Sequence, residues 1–402
     1  MVQSMTVATP TDAHSSDDAD VEVGRPVYLD CNATTPVDPR VQDEVLTYMA
    51  QEFGNAGSRT HGYGQTAKER VNRARQEVAD VVGAKPEEVV FTSGATESNN
   101  LAILGLAAHG EQTGRRHIIS SQIEHKAVLE PLEVLAARGF EVTLLAPTSG
   151  GWINPDDVRR ALRPDTLLVS IMAANNETGV IQPIEEVAAV LKEHEAYFHV
   201  DGAQAFGKLI APLRSTRIDL LSISGHKIYA PKGIGALITR RRSYRRAPLQ
   251  PLMYGGGQER GLRPGTLPVA LIAGLGLASS LALREHSDRA RSCEAMKAEA
   301  LAALQPLGIV INGDSARVVA HTLNFSVPGV DSEAAIVALK DIVAISNGSA
   351  CTSQSYEQSH VLIAAGISES QVAGALRLSW SHLTPEAPWG MVADRLSRLA
   401  TA

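Results

Sequence analysis

The chain has 402 residues, 44% of them hydrophobic and 20% charged, with a formal net charge of −7. That balance suits a soluble globular protein with a sizeable core and excludes a fibrous or wholly disordered chain. No apolar run reaches the roughly 18 residues a membrane helix needs, and the negative charge argues against wholesale electrostatic binding of nucleic acid.

Three cysteines, Cys31, Cys293 and Cys351, cannot build a disulfide framework. A reducing compartment, the cytoplasm, is expected, where a special cysteine is reactive rather than structural. Residues 1–26 are polar and acidic, with neither a basic start nor an apolar stretch. They read as a disordered tail rather than a secretory signal. From Gln65 to Gly83, apolar residues recur every three or four positions, which predicts an amphipathic helix stopped by Gly83. Val89–Thr92 reads as a buried strand that runs through Ser93-Gly94-Ala95-Thr96 into a small-residue helix over Leu101–Ala108. A strand feeding a helix through small and hydroxyl residues offers backbone N–H groups to a phosphate, although an ordinary capped helix has the same look. The stretch is neither a Walker A loop nor a dinucleotide fingerprint.

Further strands are predicted over His117–Ser121, Val142–Ala146, Thr166–Met172, Tyr197–Asp201, Leu220–Ser224 and Gly235–Thr239. Helices are predicted over Lys126–Arg138, Pro155–Leu162 and Ile184–His194. Alternation of this kind implies a mostly parallel sheet covered on both faces, with ligands at the carboxyl ends of its strands. His125 follows one such end and could stack on a flat ring or relay a proton; a helix-start histidine is the alternative. Asp201 ends another strand, where it could hold a pyridine nitrogen protonated or merely cap a helix. Lys227, in Ser224-Gly225-His226-Lys227, lies just past a third. There it could condense with an aldehyde, or it is a solvated surface lysine.

Beyond Pro268 come helical patterns over Val269–Leu283 and Arg284–Leu304, then short strands and helices to the end. We read these as a second, smaller α+β domain. The one dense basic cluster, Arg240–Arg246, is either a docking patch or a solvated face. Cys351 sits in a Gly/Ser-rich loop, where a nucleophilic thiol would be exposed; Cys31 and Cys293 read as bystanders. Arg377 interrupts an apolar stretch and needs a partner, either a substrate carboxylate or a structural acid. No metal site is expected.

Taken together, Thr-Ser-Gly-Ala-Thr-Glu-Ser-Asn (92–99), Glu-His (124–125), Asn-Asn-Glu-Thr-Gly (175–179), Asp-Gly-Ala-Gln (201–204), Ser-Gly-His-Lys (224–227), Arg-Pro-Gly-Thr-Leu (263–267) and Ser-Ala-Cys-Thr-Ser (349–353) occur in the order seen in a known family. The chain resembles the pyridoxal-phosphate-dependent cysteine desulfurases of the NifS/IscS type from Tyr28 to its end.

That resemblance implies a fold-type-I α/β homodimer in the aspartate-aminotransferase manner. A large domain with a mostly parallel sheet spans 37–286, and residues 27–36 join 287–402 in a smaller α+β domain that carries the cysteine loop. It implies a Schiff base between Lys227 and pyridoxal 5'-phosphate, Asp201 on the pyridinium nitrogen, Gln204 on the phenolate oxygen and His125 on the ring. Ala95, Thr96, Ser224 and His226 would bind the phosphate, with Thr266 reaching in from the partner subunit. Asn176, close to the cofactor, would hold the L-cysteine carboxylate with Arg377, and Asn32 would also contact the substrate. Cys351 would take the sulfur as a persulfide and pass it to an acceptor protein, with Lys227 and His125 moving protons.

The strings Leu-Asp-Cys-Asn-Ala-Thr-Thr-Pro and Cys-Thr-Ser-Gln-Ser-Tyr-Glu are most similar to the desulfurases of DNA phosphorothioation. The chain ends soon after Leu396-Ser397-Arg398, without the extension that iron–sulfur scaffold partners use. Sulfur donation to iron–sulfur clusters or tRNA, selenocysteine lysis and transamination on the same fold are the alternatives. No membrane association and no direct nucleic-acid contact are expected.

Overall fold

The computed structural model describes residues 25–242, 244–348 and 358–400. Cys351, the centre of the predicted persulfide chemistry, and most of the predicted N-terminal tail lie outside the described residues. In chain order the strands are β1 (Val27–Tyr28), β2 (Val89–Thr92), β3 (His117–Ser121), β4 (Glu141–Leu145), β5 (Thr166–Met172), β6 (Tyr197–Asp201), β7 (Leu220–Ser224), β8 (Gly235–Thr239), β9 (Val310–Ile311), β10 (Thr322–Ser326), β11 (Val343–Ala344) and β12 (Ala375–Ser379).

β2–β8 form one sheet in the order β2-β8-β7-β6-β5-β3-β4. It is parallel except at β8, which runs antiparallel to both of its neighbours. The strands are apolar on both faces because side chains alternate sides along a strand and both sides are covered. Phe91, Ile119, Val169, Leu221 and Ile238 enter one core, and their neighbours Val90, Ile118, Leu168, Leu220 and Leu237 enter another. Each such burial contributes roughly 1.5–3 kcal/mol before entropy is counted.

Helix Val269–Arg284 packs on helices Pro39–Ala50 and Gly62–Val82 over the first core. Gly276 permits that approach, since a Cβ there would lie 2.6 Å from Ala74 Cα. A third core gathers Leu29, Phe325, Leu376, Trp380 and Trp389 around the antiparallel sheet β12-β10-β9 and the parallel pair β1–β11. The first strand, β1, is thus fastened to a segment more than three hundred positions away, and residues 29–35 then cross to the large sheet. Leu29 N–H donates to Ala344 O, and Thr35 N–H to His226 O.

Two predicted helices differ by four residues or more at an end. The helix expected over Leu101–Ala108 is Ala95–Leu104, with a second over Ala107–Thr113. It starts as soon as the Gly94 turn releases the chain, and it breaks at Gly105, where a Cβ would lie 2.2 Å from Leu101 O. The helix expected to reach His194 stops at Val190. The basic cluster also reads differently in three dimensions. Arg240 is buried and donates to Val82 O, Leu213 O and Ile218 O, while Arg242 pairs with Asp219. Those two guanidiniums tie the segment after β8 to residues 82, 213, 218 and 219 and do not form a basic face.

Candidate active site

The carboxyl ends of β3, β5, β6 and β7 open onto one cavity of about 450 Å³. Ala95, Thr96, His125, Asn176, Asp201, Gln204, Ser224, His226, Lys227, Asn32 and Arg377 all line it. Residues chosen from segments scattered over some three hundred positions therefore converge. Thr266 does not line the cavity; it is exposed on the surface of the chain.

One wall is the turn from β2 into helix Ala95–Leu104. Gly94 has φ 154, in the region that favours glycine, and it packs so closely beneath β8 that a Cβ on Gly235 would lie 2.6 Å from Gly94 Cα. The turn presents the first helical N–H groups, which have no carbonyl partner within the helix, to the cavity. Ser224 and His226 face the same corner. Burial, then the nearby Lys227, Lys232 and Lys208 charges, depress the His226 pKa to about 4, so its imidazole is neutral at pH 7. Its Nδ1 lies 3.2 Å from Thr34 Oγ1.

On the floor, Asp201 is held at both oxygens. Asn99 Nδ2 donates to Oδ2 at 2.8 Å and Ala203 N–H to Oδ1 at 2.9 Å. The carboxylate is thus oriented rather than free to rotate. The alternative reading, that it merely caps a helix, is incomplete: it braces the local turn and also lines the cavity. Gln204 Nε2 donates to Asn32 O at 3.0 Å, while its Oε1 is buried without a partner. Lys227 follows β7 on a single 3-10 turn, Gly225–Lys227. Its amine donates to Asn32 O, and to Ala33 O at 2.8 Å. The turn is pinned from behind by Tyr229, a non-glycine residue at φ 69, whose N–H donates to Thr35 Oγ1 and whose carbonyl accepts from Asp38 N–H.

His125 caps helix Lys126–Ala137, with Nδ1 accepting from Ala127 N–H at 3.0 Å. A ring that accepts at Nδ1 carries its proton on Nε2. The preceding Glu124 is sealed in the core, accepting from Ser121 Oγ at 2.5 Å and from Met172 N–H at 3.1 Å. Burial pushes its pKa up to about 8, so this carboxyl is mostly protonated at neutral pH.

Arg377 has the structural acid considered for it. It lies on β12, buried, with Nη2 donating to Asp30 Oδ1 at 2.6 Å and Nη1 to Asn176 O at 2.9 Å. Its Nε is buried without a partner, and the residue lines the cavity. The structural acid exists and leaves donor capacity over. Asn32 donates through Nδ2 to Asn176 O and Thr322 Oγ1, joining the two sheets at the rim. Cys31 and Cys293 are buried, away from this cavity.

Sequence reasoning missed Asp30 and Asn99 as members of the site. Asn99 sits one helical turn inside a quoted motif, so the spacing of a helix that begins at Ala95 could have aimed it at the sheet. Nothing in the sequence pairs Asp30 with Arg377.

Among the described residues no helix is long and apolar enough to cross a membrane. Comparison with known proteins matches residues 27–386 to the family described as aminotransferase class-V. The chain is 45% identical to the cysteine desulfurase IscS of Methylococcus capsulatus, over 93% of each chain. Among solved structures it is similar to DndA from Streptomyces lividans, at 54% identity and TM-score 0.78, covering 88% of this chain and 99% of that one. It is also similar to a NifS-like protein, at 35% identity and TM-score 0.86, covering 94% and 99%.

Proposed function

The chain belongs to the class-V aminotransferase family and is a pyridoxal-phosphate-dependent cysteine desulfurase; from that premise we propose that the cavity at the strand ends is its active site and that Cys351 receives the sulfur. The observation that carries this reading is the convergence of Lys227, Asp201, His125 and Arg377 on one cavity.

The cavity fits the cofactor. An oriented carboxylate, a buried Gln204 oxygen lacking a partner, a cradle of helix N–H groups beside Ser224 and neutral His226, and a lysine amine all face it. Ala95, Thr96, Ser224 and His226 would hold the phosphate, Asp201 the ring nitrogen, Gln204 the ring oxygen and Lys227 the aldehyde carbon, with His125 against the ring. When bound, the cofactor supplies an electron sink for the substrate's α-carbon.

The chain's own residues do the rest. Arg377, steadied by Asp30, and Asn176 and Asn32 orient the L-cysteine carboxylate. Lys227 accepts the α-proton and returns it to the carbon skeleton. His125 holds a proton at Nε2 within the cavity, where it can exchange with the substrate thiol. Cys351 Sγ attacks the substrate sulfur. A sulfur–sulfur bond forms, the carbon–sulfur bond breaks with its electron pair staying on carbon, and L-alanine leaves. One cysteine and one enzyme thiol thus become one alanine and one enzyme persulfide, and the persulfide passes its outer sulfur to an acceptor protein.

We read the molecule as a homodimer with Thr266 completing the partner's phosphate site. Exposed Thr266 and the nearby exposed Leu252, Met253 and Tyr254 support this. The division into a large domain, 37–286, and a small domain of 27–36 with 287–402 is supported by the separate core around Trp380. Supply of sulfur for DNA phosphorothioation, inferred from the strings around Cys31 and Cys351, is supported by the 54% identity to DndA.

The test is to mix the holoenzyme with L-cysteine and measure alanine alongside mass spectra of the Cys351 peptide. Alanine matched by a persulfide on Cys351 is the expected result. Alanine formed with Cys351 unmodified, or keto-acid exchange in its place, would overturn the assignment.

A further inference from the structure

Behind the active site, in the cleft between the large sheet and helix His286–Leu304, lies a second cavity of about 300 Å³. Leu209, Ile228 and Val319 are among its aliphatic lining residues, and its charged or titratable ones include Lys208, His321, Arg289 and Glu294. Among the described residues the Lys208 ammonium has one hydrogen-bond partner, His321 Nε2 at 3.2 Å. His321 is buried, and burial, then the Lys208 and Lys297 charges, hold its pKa well below the usual histidine value, so it accepts from the ammonium as neutral imidazole. An ammonium carries three donor hydrogens, which leaves two without an acceptor among the described residues.

Charge is unbalanced here for a definite reason. Asp38 and Glu285, which do not line the cavity, are already taken by Arg40 and by the lining Arg289. Lys297 is spent on Val319 O, and Glu294, exposed at the rim, makes no ion pair with Lys208. A half-buried cation with no acid paired to it, in a cavity lined largely by apolar groups, is costly, and an anion entering the cavity offsets that cost. An apolar cavity of about 150 Å³ holds benzene, so this one has room for a ring or short chain together with a polar head.

We propose that this cavity is a binding site for a small monocarboxylate with an apolar body, its carboxylate on Lys208 and its body against the aliphatic walls. The site is separate from the cofactor cavity and independent of the roles proposed there. An occupant would still lie one residue from the chemistry: His321 precedes Thr322, whose hydroxyl holds the Asn32 side chain at the active-site rim.

Fluorine NMR of the holoenzyme titrated with para-fluorobenzoate tests the assignment, with para-fluorobenzyl alcohol as the uncharged counterpart. One saturable bound resonance should weaken about tenfold or more in K208M, and the alcohol should bind correspondingly less well than the acid. K208Q keeps a hydrogen-bonding end for His321 while removing the charge. It should behave as K208M does, and it takes that variant's place if K208M fails to fold, as judged by its cofactor absorbance. A separate resonance from carboxylate held on Arg377 would be untouched by either variant. The proposal is overturned if no bound resonance responds to the Lys208 changes, or if acid and alcohol bind alike.

Discussion

Asp30 is the most informative position for testing how substrate is held. Its Oδ1 accepts from Nη2 of Arg377, a residue that lines the cavity, at 2.6 Å. Asp30→Asn keeps the shape and an accepting oxygen but removes the charge. Hydrogen bonds to charged groups contribute about 1.5–3 kcal/mol and neutral ones about 0.5–1.5. Loss of the ionic part therefore costs about 1 kcal/mol of Arg377 positioning, a factor of about five in affinity. Steady-state alanine formation should show the KM for L-cysteine rising about fivefold with kcat nearly unchanged, and Arg377→Lys should raise KM further because the planar fork is lost. An unchanged KM for Asp30→Asn, or a fall in kcat alone, would refute the reasoning.

Cys351→Ser should retain the bound cofactor's absorbance and lose alanine formation; unimpaired turnover would remove Cys351 from the reaction. Arg240→Met should strip donors from the three buried carbonyls it now serves, lowering stability by several kcal/mol at about 1–3 kcal/mol per orphaned group; exposed Arg245→Ser should leave the denaturation midpoint in place. Glu124 supplies a pH test. Its folded pKa is raised from 4.5 to about 8, so its stabilisation is complete below pH 4.5 and is lost as pH rises through 8. Urea midpoints of Glu124→Gln should therefore fall less steeply than the native ones between pH 5 and 8. Parallel profiles would show that this carboxyl titrates normally.

Much of the site was legible because the chemistry clusters at strand ends. Strands β2, β3, β5, β6, β7 and β8 were bounded correctly by their apolar runs, and reactive residues directly after such runs must share one edge of a parallel sheet. Long-range pairing was not legible. That residues 27–35 thread from β11 to the Lys227 turn, and bring Asp30 to Arg377, depends on bridges such as Asp30 to Ser379, which no local pattern encodes. The basic cluster misled for the opposite reason: composition registers charge but not direction, and Arg240 and Arg242 point inward to carbonyls and to Asp219. The helix after Gly94 begins earlier than the apolar pattern shows because its first turn is largely polar: Thr96 lines the cavity, and Ser98 is buried against Thr92 Oγ1.

Every role proposed for the site depends on Lys227 being the point of cofactor attachment. Borohydride reduction of the purified yellow enzyme, followed by proteolysis and mass mapping, tests this most directly. A phosphopyridoxyl group on the Lys227 peptide, absent from Lys227→Ala, is the predicted result. The same adduct on another lysine, or a colourless protein that refuses reconstitution with pyridoxal phosphate, would contradict it.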